Sequence, residues 1–218
     1  MTPPFTAEQF FGVFARYNDK VWPAQIALNA VALVCIGLAY RGGTSAGRWV
    51  SALLALLWFW VAVAYHFAFF SGINPAAWLF GGITLAGALV FLWLGTLKGA
   101  LRFAPAGCWR GAMGGLLLAY ALVFYPVLGY LVGHRYPAAP TFGVPCPTTI
   151  FTLGLLLFAS HPVPRLVFLV PVLWAAVGSF AAFSLGVVED LGLLAAGVVA
   201  TLAALVRPHD AGVGRSIR

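Results

Sequence analysis

Residues 133–154, GHRYPAAPTFGVPCPTTIFTLG, lie between two apolar runs and set Cys146 between two prolines where a short helix opens. A thiol at a helix start meets free backbone N–H groups and the positive end of the dipole, which favours a thiolate or a bound anion. Cys146 could also join His66 and His134, with Glu189 or Asp190, around Zn²⁺ or a softer thiophilic metal. The other polar side chains in or beside apolar runs are Asn18, Gln25, Tyr65, Asn74, Thr148 and Thr149, with Tyr136, Ser179 and Ser184 further along. Such amide, phenol and hydroxyl groups suit a pocket that orients a small solute.

Each of these residues also has a structural reading. Free cysteine packs as a small hydrophobe. Glu189 and Asp190 could complement the dipole at the start of the last helix, and Asn74-Pro75 could be a helix-starting turn. His66 is the hardest to set aside, because an ionisable group inside an apolar span is costly and faces the interior of a bundle.

The elements that must position these residues are membrane helices. Apolar residues make up 62% of the 218-residue chain and charged residues 8%, too lopsided for a soluble core. The runs are solidly apolar, which excludes a barrel with alternating faces. The net charge of +7 sits in short loops beside spans, so it reads as topology and not as nucleic-acid binding. The fold class is therefore all-α, a polytopic integral membrane protein.

In order, residues 5–17 read as a short amphipathic helix at the membrane interface, and residues 1–20 as an N-terminal interfacial segment. The membrane domain covers residues 21–206 and a cytoplasmic tail residues 207–218. Seven transmembrane helices are expected at about 21–40, 49–70, 76–97, 113–132, 147–160, 166–183 and 187–206. Trp22 marks an interfacial anchor, Pro23 a first-turn position, and Pro126 a kink. The fifth run reaches only about 21 Å, short of a roughly 30 Å hydrocarbon core. It is either a half-helix buried among its neighbours or a span that bends the chain around it.

With seven spans and the N-terminus outside, the inner segments hold Arg41, Arg48, Lys98, Arg102, Arg110, Arg165, Arg207, Arg215 and Arg218. The outer segments hold only Arg16, Lys20 and Arg135, so the bias favours N-outside, C-inside. That orientation puts nearly every unusual polar group on the outer side. The inner side keeps basic loops and His161. Cys35, Cys108 and Cys146 then fall at three different levels, where no pair can bridge.

Three strings carry a family resemblance: Tyr17-Asn18…Val21-Trp22-Pro23…Gln25, Ile73-Asn74-Pro75-Ala76-Ala77…Phe80-Gly81, and Phe142-Gly143…Pro145-Cys146-Pro147-Thr148-Thr149-Ile150-Phe151-Thr152-Leu153-Gly154. With them the chain resembles, over nearly its whole length, the bacterial multipass proteins of domain-of-unknown-function family 6064. The resemblance implies a bacterial inner-membrane protein, in a group often labelled as permeases, with no established activity.

The expected function is a small permease or ligand-binding membrane protein with an outward-facing polar pocket closed by residues 133–154. Its partners would be the lipid bilayer, a small solute or metal ion, and a second copy of the chain, since 218 residues make a small transporter. The alternatives are an intramembrane metal-binding protein using His66, His134 and Cys146, and a structural or assembly subunit. A metal-dependent hydrolase is the weaker form of the metal reading, because the last two spans carry no histidine pair. Two histidines are slender grounds for haem, the last span has no lysine for a retinal Schiff base, and the sequence specifies no cofactor.

Overall fold

A computed structural model describes residues 4–104, 109–160 and 162–205. Among these residues seven helical stretches carry the chain: α1 (Ala7–Arg41), α2 (Gly43–Gly72), α3 (Ala77–Leu97), α4 (Trp109–Leu131), α5 (Pro145–Leu157), α6 (Leu166–Leu185) and α7 (Val188–Leu205). All but α5 are long and apolar enough to cross a membrane. The expected tail at 207–218, with Cys108 and His161, lies outside the described residues.

The first expectation to change is the N-terminus. Residues 7–17 and the first span are one helix, because nothing in Asn18-Asp19-Lys20 breaks a helix and Pro23 is carried in its interior. Thr6 caps it, its hydroxyl accepting from Gln9 N–H while the Gln9 side chain accepts from Thr6 N–H. A reciprocal cap of this kind is worth about 1 kcal/mol. At about 1.5 Å per residue α1 extends some 50 Å, longer than the hydrocarbon it would cross. Its surplus turns pack against protein: Phe10, Val13, Phe14 and Tyr17 are buried with Tyr65, Phe70, Val144, Ala182 and Val187.

The short α5 is the centre of the bundle. Every residue from Pro145 to Leu157 except Cys146 is buried, and α4, α6 and α7 pack around it. Close approach to α4 depends on paired glycines: a Cβ on Gly114 would come within 2.9 Å of the Gly154 carbonyl oxygen. α5 begins beside the N-terminal turns of α1 and finishes at the opposite end of the bundle. There Ser160 N–H donates to Arg102 O at 2.8 Å and Ala104 N–H to Phe158 O at 2.9 Å. The fifth run is thus a short helix buried among its neighbours, with non-helical backbone satisfied by protein on either side.

Three long helices contain π-helical turns, at Val61–Phe67, Phe91–Leu97 and Tyr120–Phe124. The third directly precedes Pro126, whose ring cannot donate an N–H and crowds the carbonyl a turn before it. An added residue in a turn rotates the remainder of the helix about its axis, and such turns recur at functional sites. Here the first turn carries Tyr65 and His66, and the last leads into Tyr125.

Candidate functional site

One end of the bundle gathers the polar residues, in three groups with different chemistry. The first is a clamp on the loop before α5. Asn18 Nδ2 donates to the carbonyls of Pro137 and Ala139, at 2.5 and 2.7 Å. Asn18 Oδ1 accepts from Gln25 Nε2 at 2.6 Å and from the Thr141 hydroxyl at 2.8 Å. Asn18 and Gln25 thus hold the loop and are spent in doing so. Gly143 in that loop has φ +104°, and a Cβ there would strike Leu28 Cδ1 at 2.5 Å, so the chain passes tightly over α1.

The second group is a buried acid pair at the start of α7. Glu189 Oε1 lies 2.7 Å from His134 Nδ1, and its backbone carbonyl accepts from the Tyr120 hydroxyl at 2.7 Å. Asp190 Oδ1 accepts from the Tyr125 hydroxyl at 2.6 Å. Both acids are buried inside the bundle, so they do more than complement a helix dipole. His134 is held in turn by its ring, tilted against Phe11 with centroids 4.5 Å apart, and by its backbone N–H donating to Gly129 O.

The third group surrounds a cavity of about 250 Å³, room for many waters' worth of ligand. Its wall is aromatic, with Phe10, Phe14, Tyr65, Phe70, Phe80 and Trp174 among the lining residues. Its polar groups are His66, Asn74, Tyr125, Cys146, Asp190 and the indole of Trp174. The cavity meets the surface beside Pro4 and Phe180, the latter 56% exposed.

Hydrogen-bond satisfaction separates this group from the clamp. His66 is fully buried and neither ring nitrogen has a partner, nor has Trp174 Nε1. Their rings meet edge to face, with centroids 4.9 Å apart. The other two indoles nearby are bonded, Trp58 to the Thr152 hydroxyl at 3.0 Å and Trp60 to the Tyr17 hydroxyl at 2.7 Å. An unpaired buried polar group costs about 1–3 kcal/mol, so the cavity carries a deficit that a ligand could relieve.

The expected site residues therefore divide. His66, Tyr65, Asn74, Cys146 and Asp190 line the cavity. Asn74 also makes the expected turn, its side chain accepting from Ala76 N–H at 3.0 Å. Asn18, Gln25, His134 and Glu189 are held outside the cavity lining. Thr149 donates to Pro145 O within α5, and Thr148 is buried with its hydroxyl unpartnered.

The metal set does not assemble. Among the described residues no three His, Cys, Asp or Glu side chains come together in a way that could hold a metal ion. His134 turns to Glu189 and Phe11, whereas His66 is enclosed by Tyr65, Phe70, Phe80 and Trp174. Trp174, Tyr120 and Tyr125 were not marked by the sequence. Only the proximity of Trp174 to Pro171, and of the two tyrosines to Pro126, hinted at irregular helix there.

A family model matches residues 7–215, described as a family of unknown function (DUF6064). The chain belongs to that family. No curated protein and no solved structure matches it. The clamp, acid pair and cavity of this DUF6064 chain draw almost wholly on the matched residues.

Proposed function

We propose that this protein is a small ligand-binding membrane protein, acting as a permease of the bacterial inner membrane, whose cavity at the His66–Asp190 end takes a compact, largely apolar molecule with a polar head. The single observation that carries this reading is His66: fully buried, without a hydrogen-bond partner, and facing a cavity large enough to fill. In this reading all seven helices cross, with the N-terminus and the cavity outside and the C-terminus inside. The charge bias supports the orientation, and α5 supports the crossing by running from the cavity end to the 102–104 segment at the far end.

The short buried α5, with non-helical backbone at both ends, resembles the interrupted helices that build transporter sites. The π turn in α2 brings Tyr65 and His66 to the cavity, the one in α4 leads into Tyr125 at its wall, and both offer places where packing could shift. Aromatic walls with a few polar groups are what a specific pocket for a small organic molecule needs.

Cys146 supplies the test, as it is partly exposed and lines the cavity. In whole cells carrying Cys35→Ala and Cys108→Ser, a small membrane-impermeant thiol reagent added outside should modify Cys146. Ala181→Trp, which places an indole in the cavity wall, should slow that modification by about ten-fold. A native protein that reacts only after unfolding, or only when the reagent is admitted to the cytoplasm, defeats the reading.

A further inference from the structure

Resting on the reading of the cavity as a binding site, we infer that its ligand is a small organic cation, a protonated amine on an aromatic or alkyl body. The polar groups that face the cavity include donors, the Trp174 indole N–H among them, and one acid, Asp190. Asp190, only 4% exposed, contributes a carboxyl whose contacts are neutral donors, the Tyr125 hydroxyl at 2.6 Å and the adjacent Cys146 thiol. His66 in its neutral form adds a ring nitrogen with a free lone pair.

Compensating positive charge is missing from the lining, which contains no lysine or arginine among the described residues. The basic residues expected at this end, Arg16, Lys20 and Arg135, are all exposed. His134 pairs with the neighbouring acid Glu189. An anionic ligand would therefore face Asp190 with nothing in the lining to offset it, whereas a cation would pair with it.

The wall fits the same charge. Around the His66 ring the centroid of Trp174 lies at 4.9 Å, Tyr65 at 5.2 Å, and Phe70 and Phe80 at 6.0 Å. An ammonium group bonded to His66 would be close to several aromatic rings, whose faces attract a cation most strongly once water is excluded. Its N–H groups would bond Asp190 and the lone-pair nitrogen of His66, while its apolar body occupied the phenylalanine-lined space towards Phe180.

Three probes of one shape and different charge decide the class: benzylammonium, benzyl alcohol and benzoate. The measurement is the rate at which uncharged methyl methanethiosulfonate modifies Cys146 in the full chain in lipid nanodiscs, with Cys35→Ala and Cys108→Ser. Benzylammonium should protect Cys146 at about one-tenth the concentration that benzyl alcohol requires, and benzoate should not protect. Asp190→Asn should abolish the preference for the cation over the alcohol. Equal or better protection by the alcohol or benzoate overturns the cation, as does no protection by any probe of a Cys146 that reacts readily. Those results leave the cavity standing. A Cys146 inert to the reagent in the native protein removes the binding site itself and the cation with it. The three-probe comparison needs no variant at Asp190, so the inference stays testable if Asp190→Asn does not fold.

Discussion

The Asn18 clamp and the His66 cavity lie at the same end of the bundle and use residues of similar polarity, yet their hydrogen bonding is opposite. Asn18 has both side-chain atoms engaged, by two backbone carbonyls, an amide and a hydroxyl. His66 has none of its ring nitrogens engaged. A fully satisfied network rigidifies its surroundings, whereas an unsatisfied one stores a cost that folding alone does not recover. The clamp is therefore architecture, and the cavity is the proposed site.

The largest expected effect breaks the clamp. Asn18→Leu leaves the Pro137 and Ala139 carbonyls, Gln25 and Thr141 without their common partner, in a position that is fully buried. A loss of about 3 kcal/mol is expected, with residues 133–144 opening to protease before the rest of the chain unfolds. Retained stability and a protected loop would mean that the clamp does not hold the roof of the cavity.

A middle-sized effect concerns the acid pair, which shares features of both regions. Glu189 has one oxygen on His134 and the other unpartnered. His134→Ala strands a buried carboxylate and should cost about 2 kcal/mol, most of it regained in the double variant with Glu189→Gln. The readout is unfolding in detergent; equal losses for the single and double variants would show that His134 does not answer Glu189.

Much of the architecture was legible because lipid imposes it. Long apolar runs, the short fifth helix and the gathering of polar residues at one end follow from hydropathy, length and alternation. Satisfaction was not legible. The partners of Asn18 are backbone carbonyls 119 and 121 residues away, a chemistry that every residue shares. The distinction between His66 and His134 likewise depends on what the fold sets beside each ring, Trp174 for one and Glu189 for the other. The unbroken α1 escaped for a local reason: Glu8, Arg16 and Asn18 look interfacial, but the opposite stripe of Phe10, Val13, Phe14 and Tyr17 finds a protein partner.

The smallest effect on stability is the most informative about the comparison. His66→Phe removes both unpartnered nitrogens and places a ring of similar shape among Tyr65, Phe70, Phe80 and Trp174. If the histidine were a structural element like Asn18, its loss would destabilise. Because it contributes a desolvation cost and no bond, the variant should match the parent or gain up to about 1 kcal/mol in unfolding free energy. The same variant should lose protection of Cys146 by benzylammonium, since one of the two acceptors offered to the cation is gone. Stability that rises while binding falls is the trade-off expected of a site held ready at a cost to the fold. A His66→Phe protein that unfolds more easily by about 2 kcal/mol or more would place His66 with Asn18, and the cavity would lose the feature that distinguishes it.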